Sequence, residues 1–91
     1  MAAINSLTDA FVRSVEPPKS GAPAKYTDGL GMYLAVAPSG ARSFRMDYRY
    51  AGKRKTMSFG AYPEVGLADA RRRRDAARRV LDGGADPMAE R

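Results

Sequence analysis

The stretch from Arg42 to Gly60 constrains this chain more than any other part of it. Phe44, Met46, Tyr48 and Tyr50 alternate with Ser43, Arg45, Asp47 and Arg49, which is the period of a half-buried strand. After Ala51-Gly52 the alternation resumes, with Lys55, Met57 and Phe59 on one side and Arg54, Thr56 and Ser58 on the other. A one-residue slip would send every apolar side chain to the wrong face. The pattern therefore predicts a β-hairpin with Phe44 opposite Phe59 and Met46 opposite Met57, joined by an even loop of two or four residues. Arg45, Arg49 and Arg54 then share the outer face, with Arg49 directly opposite Arg54. Like charges facing each other across a ladder repel. Such a face suits an acidic partner.

The charge distribution singles out the same hairpin. The chain carries 16 Lys and Arg against 10 Asp and Glu, a net of +6. Residues 42–55 alone carry Arg42, Arg45, Arg49, Lys53, Arg54 and Lys55 against Asp47, a net of +5. A local excess of this kind marks an electrostatic footprint, and nucleic acid is the partner it fits. β-Strands can enter the DNA major groove, where arginine bonds guanine O6 and N7 together. Tyr33, Ser43, Thr56 and Ser58 can bond bases or phosphates, while Arg42, Lys53 and Lys55 at the rim can neutralise the backbone.

The rest of the chain supplies the elements that would cover the hairpin's apolar side. Thr8 is the N-cap of a short helix within Leu7 to Val15, which Pro17-Pro18 ends. Lys19 to Ala24 reads as a loop, Lys25 to Asp28 as a short extended piece and Asp28-Gly29 as a turn. Gly29-Leu30-Gly31 lacks the third glycine and the following helix of a dinucleotide fingerprint. Met32 to Ala37 is a strand with Met32, Leu34 and Val36 inward, and Pro38-Ser39-Gly40 turns it back. Val36 is then expected opposite Phe44, and Leu34 opposite Met46.

A long helix is predicted from Leu67 to Asp82, with Gly66 as N-cap and Gly83 as its stop. Leu67, Ala70, Ala76, Ala77, Val80 and Leu81 fall on one arc of it. Arg73 and Arg74 lie within that arc, so they either run along the core edge or pair with acids such as Glu64. The Arg71–Arg74 run reads as a solvated, partly structural face, because Asp69, Asp75 and Asp82 share the helix. The predicted fold is α+β. A three-stranded antiparallel sheet packs on a long C-terminal helix, with a short N-terminal helix in front, in the order α-β-β-β-α. The domain is expected to occupy residues 1–84, with residues 85–91 opening a linker in a longer polypeptide.

Several function classes fall away on composition. Ninety-one residues make one small domain. Cysteine and histidine are both absent, which removes disulfides, thiolate metal sites and the commonest general base. The carboxylates are scattered, and nothing assembles a catalytic site, a metal site or a cofactor site. No apolar run reaches the ~18–20 residues of a membrane span. The N-terminus lacks the basic start and apolar block of a secretory signal, so the cytoplasm is the default compartment.

Read together, several pieces resemble the N-terminal arm-type DNA-binding domain of prophage and genomic-island integrases, in the tyrosine recombinase family. They are Asp28-Gly29 before Gly31-Met32-Tyr33-Leu34, Arg45 and Arg49 on the middle strand, and Gly52-Lys53-Arg54-Lys55. Gly60-x-Tyr62-Pro63 and Ala70-Arg71 ahead of Gly83-x-x-Asp86-Pro87 complete the set, and the resemblance runs from about Leu7 to Pro87. It implies binding to repeated arm-type sites on double-stranded DNA, with further integrase subunits and DNA-bending proteins as partners. It also implies that the catalytic tyrosine, arginines and histidine belong to a separate C-terminal domain. Two positions depart from the pattern: Asp47 stands where a basic residue is common, and Gly66 replaces a hydroxyl N-cap.

Two other functions fit the predicted elements. A double-stranded RNA-binding domain also runs helix, three strands, helix, but reads RNA from helix ends and a loop. Here the charge excess lies on the sheet. The sheet could instead be a protein-interaction surface within an integrase assembly. Salt sensitivity separates an apolar protein contact from nucleic-acid binding.

Overall fold

A computed structural model describes residues 4–89. Residues 1–3, 90 and 91, the ends of the two expected segments, lie outside the described residues. The elements are α1 (Asp9–Ser14), β1 (Ala24–Gly29), β2 (Met32–Val36), β3 (Arg42–Tyr50), β4 (Lys53–Ala61) and α2 (Leu67–Asp82). All four strands form one antiparallel meander in the order β1-β2-β3-β4. The expected three-stranded sheet is thus corrected to four. The piece around Lys25 to Asp28 pairs along β2, with Lys25 opposite Ala35 and Tyr26 opposite Leu34. Its alternation is only partly apolar, which makes it a weak signal for an edge strand.

The central hairpin closes through Ala51 and Gly52, both at positive φ (52° and 78°), in the manner of a type I′ turn. Met46 faces Met57 and Arg49 faces Arg54, as the alternation predicts. Phe44 does not face Phe59; it faces Gly60. Phe59 is an extra residue on β4, inserted where the ladder shifts between Phe44 and Arg45. Gly60 at the bulge has a φ of 128°, and a Cβ there would lie 2.5 Å from Val65 Cγ2. Only glycine fits where the strand bends to let Val65 into the core.

The β2–β3 register also differs from expectation. Leu34 faces Phe44 and Met32 faces Met46, two residues from the predicted pairing. The loop is five residues long, closed by Ala37 N–H donating to Ala41 O at 2.8 Å. A two-residue slip keeps every side chain on its own face, so the apolar pattern cannot detect it.

Both helices cover the same side of the sheet. Thr8 caps α1 through its hydroxyl, as expected, and Val12 is fully buried. The Phe11 and Tyr26 rings meet edge to face at 5.0 Å. Helix α2 buries Leu67, Ala70 and Ala77, while Ala76 is exposed. It ends in a Schellman motif, with Ala85 N–H donating to Val80 O and Gly84 N–H to Leu81 O. Gly84, not Gly83, is therefore the residue past the cap. Fully buried Met32, Leu34, Val36, Phe44 and Met46 make the sheet's half of the core. No helix among the described residues is long and apolar enough to cross a membrane.

Residues 86–88, within the segment expected to open a linker, pack against the domain. Asp86 and Pro87 are buried, and Met88 packs against the core.

Candidate nucleic-acid interface

With both helices on one side, the other side of the sheet is left open, and strand alternation decides what stands there. Tyr33 on β2, Ser43, Arg45, Asp47 and Arg49 on β3, and Arg54, Thr56 and Ser58 on β4 share it. Tyr33 faces Arg45, which faces Ser58; Ser43 lies between Ala35 and Ala61; Asp47 faces Thr56. Pairing Val36 with Phe44, as the alternation predicts, would instead set Tyr33 beside Asp47 and Ala35 beside Arg45. Even so, the Tyr33 hydroxyl reaches diagonally to donate to Asp47 Oδ1 at 3.1 Å.

Asp47 is the hub of this face. Thr56 Oγ1 donates to the same Oδ1 at 2.7 Å, and Arg54 stands 3.7 Å from Oδ2. The Thr56 hydrogen bond holds the Asp47 carboxyl below its ordinary range against the opposing effect of burial, and Tyr33, Lys25 and Arg54 act in the same direction. Burial, then the Asp47 charge, push the Tyr33 phenol up. Among the described residues Arg45 and Arg49 take part in none of the ion pairs. Both are exposed.

Three of the predicted site residues follow the other alternation. Arg42 donates to Val12 O at 2.6 Å and Arg13 O at 2.8 Å, and its guanidinium lies over the Tyr62 ring. It ties α1 to the sheet. Lys55 pairs with Asp86 beneath the sheet, beside the Tyr50 ring. Lys53 belongs to the same side but is exposed at the hairpin tip, beyond the helix cover. Conversely, Lys25 and Thr27 on β1 stand on the outer face, with Lys25 Nζ 4.9 Å above the Tyr33 ring. Sequence reasoning missed both, although their alternation with Tyr26 and Asp28 was the available signal.

The Arg71–Arg74 run proves largely structural. Asp28 is fully buried, accepts from Leu7 N–H at 2.8 Å, and is clamped by Arg71 at 2.9 Å and Arg74 at 3.2 Å. Arg74 pairs with Asp28, Asp75 and Asn5, not with Glu64. Arg73 donates to Phe59 O at 2.6 Å, and Arg72 pairs with Asp69 at the surface. A second clamp lies at the far end, where buried Asp86 accepts from Tyr48 at 2.6 Å and from Lys55. Burial and the Asp86 hydrogen bond push the Tyr48 phenol up to about 12. The motif pieces Asp28-Gly29 and Ala70-Arg71 thus meet at one clamp, and Lys55 and Asp86 at the other.

Both clamps carry a pH signature. Burial pushes the Asp28 carboxyl up, but the Arg71 hydrogen bond, the Leu7 amide and the two arginine charges outweigh it, and the net shift is downward from 3.8. The Lys55 hydrogen bond, followed by that from Tyr48, lowers Asp86. A depressed folded value confers stability that is present above the ordinary carboxylate range and lost as pH falls through the folded value. Thermal melts are expected to be level near neutrality and to drop steeply below about pH 4. Asp86→Asn, which keeps an acceptor for Tyr48, is expected to flatten that limb. A midpoint unchanged down to about pH 2 would contradict the assignment.

Comparison with known proteins bears on the open face. The chain is 54% identical over 56 residues to the IntB protein of Escherichia coli K12, covering 62% of this chain and 14% of that protein. It is 43% identical over 65 residues to an integrase of Enterobacteria phage P4, covering 69% and 15%. With an integrase of Shigella phage Sf6 the identity is 35% over 82 residues, 90% of this chain and 21% of that one. The chain therefore spans between a seventh and about a fifth of the length of these relatives. Residues 7–91 match the arm DNA-binding domain, from the helix that caps the core through both clamps, and the chain belongs to that family.

Proposed function

We propose that this domain is the DNA-anchoring N-terminal part of a site-specific integrase of prophage type, and that it binds arm-type sites by laying its outer sheet face in the major groove. The observation that carries this reading is the uncovered face on which Arg45 and Arg49 are exposed and, among the described residues, take part in no ion pair. The axes of three adjacent strands span about 10 Å, comparable with a major groove about 12 Å wide. Arg45 and Arg49 read bases there, with Tyr33, Ser43, Asp47, Thr56 and Ser58 between and around them. Lys25, Arg54 and the hairpin-tip Lys53 neutralise phosphates. Arg42 and Lys55 support the site from beneath. Further integrase subunits and DNA-bending proteins are the expected partners, the cytoplasm is the expected compartment, and strand exchange is the work of another domain.

Salt dependence tests the reading. Neutralising about three phosphates gives a log–log slope of roughly −3 for binding constant against salt concentration. Titration of a labelled attachment-site duplex at several salt concentrations measures it, with unrelated duplex DNA and duplex RNA as competitors. Attachment-site DNA is expected to compete best. A flat response points to an apolar protein contact, and equal affinity for duplex RNA points to shape readout of an A-form helix.

A further inference from the structure

The outer face is basic, yet a carboxylate stands at its centre, and the fold holds it in one orientation. Asp47 lies on β3 between Arg45 and Arg49. Its Oδ1 is doubly occupied, by the Tyr33 hydroxyl at 3.1 Å and by Thr56 Oγ1 at 2.7 Å. Oδ2 has Arg54 at 3.7 Å, which is beyond hydrogen-bonding distance, and a quarter of the side chain is exposed. One oxygen is committed to the sheet and the other keeps its acceptor capacity. A hollow of about 340 Å³, lined by Asp47, Tyr48, Arg49 and Arg54, opens beside it.

Duplex DNA offers such a group few partners. Phosphates repel it, and so do guanine O6 and N7 and thymine O4, which are all acceptors. The only donors on the floor of the major groove are the exocyclic amino groups, N4 of cytosine and N6 of adenine. We infer that Asp47 is a specificity-determining residue whose Oδ2 accepts from the amino group of a cytosine or adenine and rejects guanine or thymine at that place. This rests on the proposed seating of the outer face in the major groove. Arginines on either side select guanine, so the carboxylate supplies the opposite preference within one strand.

The experiment is selection from duplexes with a randomised stretch, at one salt concentration, by wild type, Asp47→Asn and Asp47→Ala. Wild type is expected to show one position where cytosine or adenine is favoured by about fivefold or more. In Asp47→Asn, the amide oxygen can keep Tyr33 and Thr56 while its NH2 replaces Oδ2. The preference at that position should then turn to guanine or thymine. Asp47→Ala should lose it there and keep the others. A second arm uses wild-type protein only and so does not depend on how the variants fold. N4-methylcytosine or N6-methyladenine at the chosen position removes the exposed amino hydrogen and should weaken binding by a similar factor. If the variants tighten binding to all sequences alike, or the methyl group has no effect, Asp47 is only a charge and a brace for Tyr33, and the inference is overturned. Wild-type protein that binds no duplex, or binds without preference, would instead sink the underlying reading before any variant is made, and the inference with it.

Discussion

Asp28→Ala is expected to destabilise the domain by about 3 kcal/mol, the low end of the 3–5 kcal/mol seen when one partner of a buried ion pair is removed. Asp28 has no exposure, and the Arg74 side chain facing it is 3% exposed. Removing the carboxylate strands a guanidinium that cannot reach water. The low end applies because Asp75 and Asn5 still accept from Arg74, and because Arg71, a quarter exposed, can turn outward. A domain of this size has roughly 5–14 kcal/mol in total, so the loss is a large share. Urea unfolding followed by circular dichroism measures it. The cause can be separated from simple loss of contacts. Asp28→Leu combined with Arg74→Leu removes the stranded charge and should recover part of the loss, whereas Asp28→Leu alone should not. Equal stability of the single and double variants would show that burial of Arg74 is not the reason.

The second large effect is on binding. Arg45→Ala and Arg49→Ala should each cost about 1–3 kcal/mol of specific affinity and relax preference at one base position. Four residues along a strand separate them by about 13 Å, so the double variant should lose close to the sum. Neither residue touches the core, so melting should be unchanged. Lys53→Ala should weaken all sequences alike, as loss of a phosphate contact would. Arg72→Ala or Arg79→Ala, on the far side of α2, should change little. Competition binding with the arm site and with scrambled duplex tests the set. If the helix substitutions abolish binding while Arg45→Ala and Arg49→Ala leave affinity and preference intact, the site lies on α2.

Where sequence reasoning failed, it failed by distances the pattern cannot register. The Phe44–Phe59 pairing missed a one-residue bulge, because both phenylalanines stay buried whichever residue is looped out. The β2–β3 pairing missed by two, because a shift of two restores every face. Strand β1 is weakly marked in the sequence because an edge strand needs only one good neighbour. Charge alone makes Arg42 and Lys55 rim cations. Both stand on the alternation's inner side, where Arg42 finds α1 carbonyls and Lys55 finds Asp86.

By itself the sequence determined which side chains share a face. Strand alternation and helical periodicity are local properties, and they put Arg45, Asp47, Arg49, Arg54 and Thr56 on one side before any partner was known. What only the tertiary structure decided was which charges remain free. Ten acids and 16 basic residues can be paired in many ways, and pairing depends on approaches between segments far apart in the chain. Asp28 meets Arg71 across 43 positions and Lys55 meets Asp86 across 31. Those approaches follow from how α2 crosses the sheet. They consume the inner cations as structure and, among the described residues, leave Arg45 and Arg49 outside every ion pair on the open face, because both helices lie on the other side.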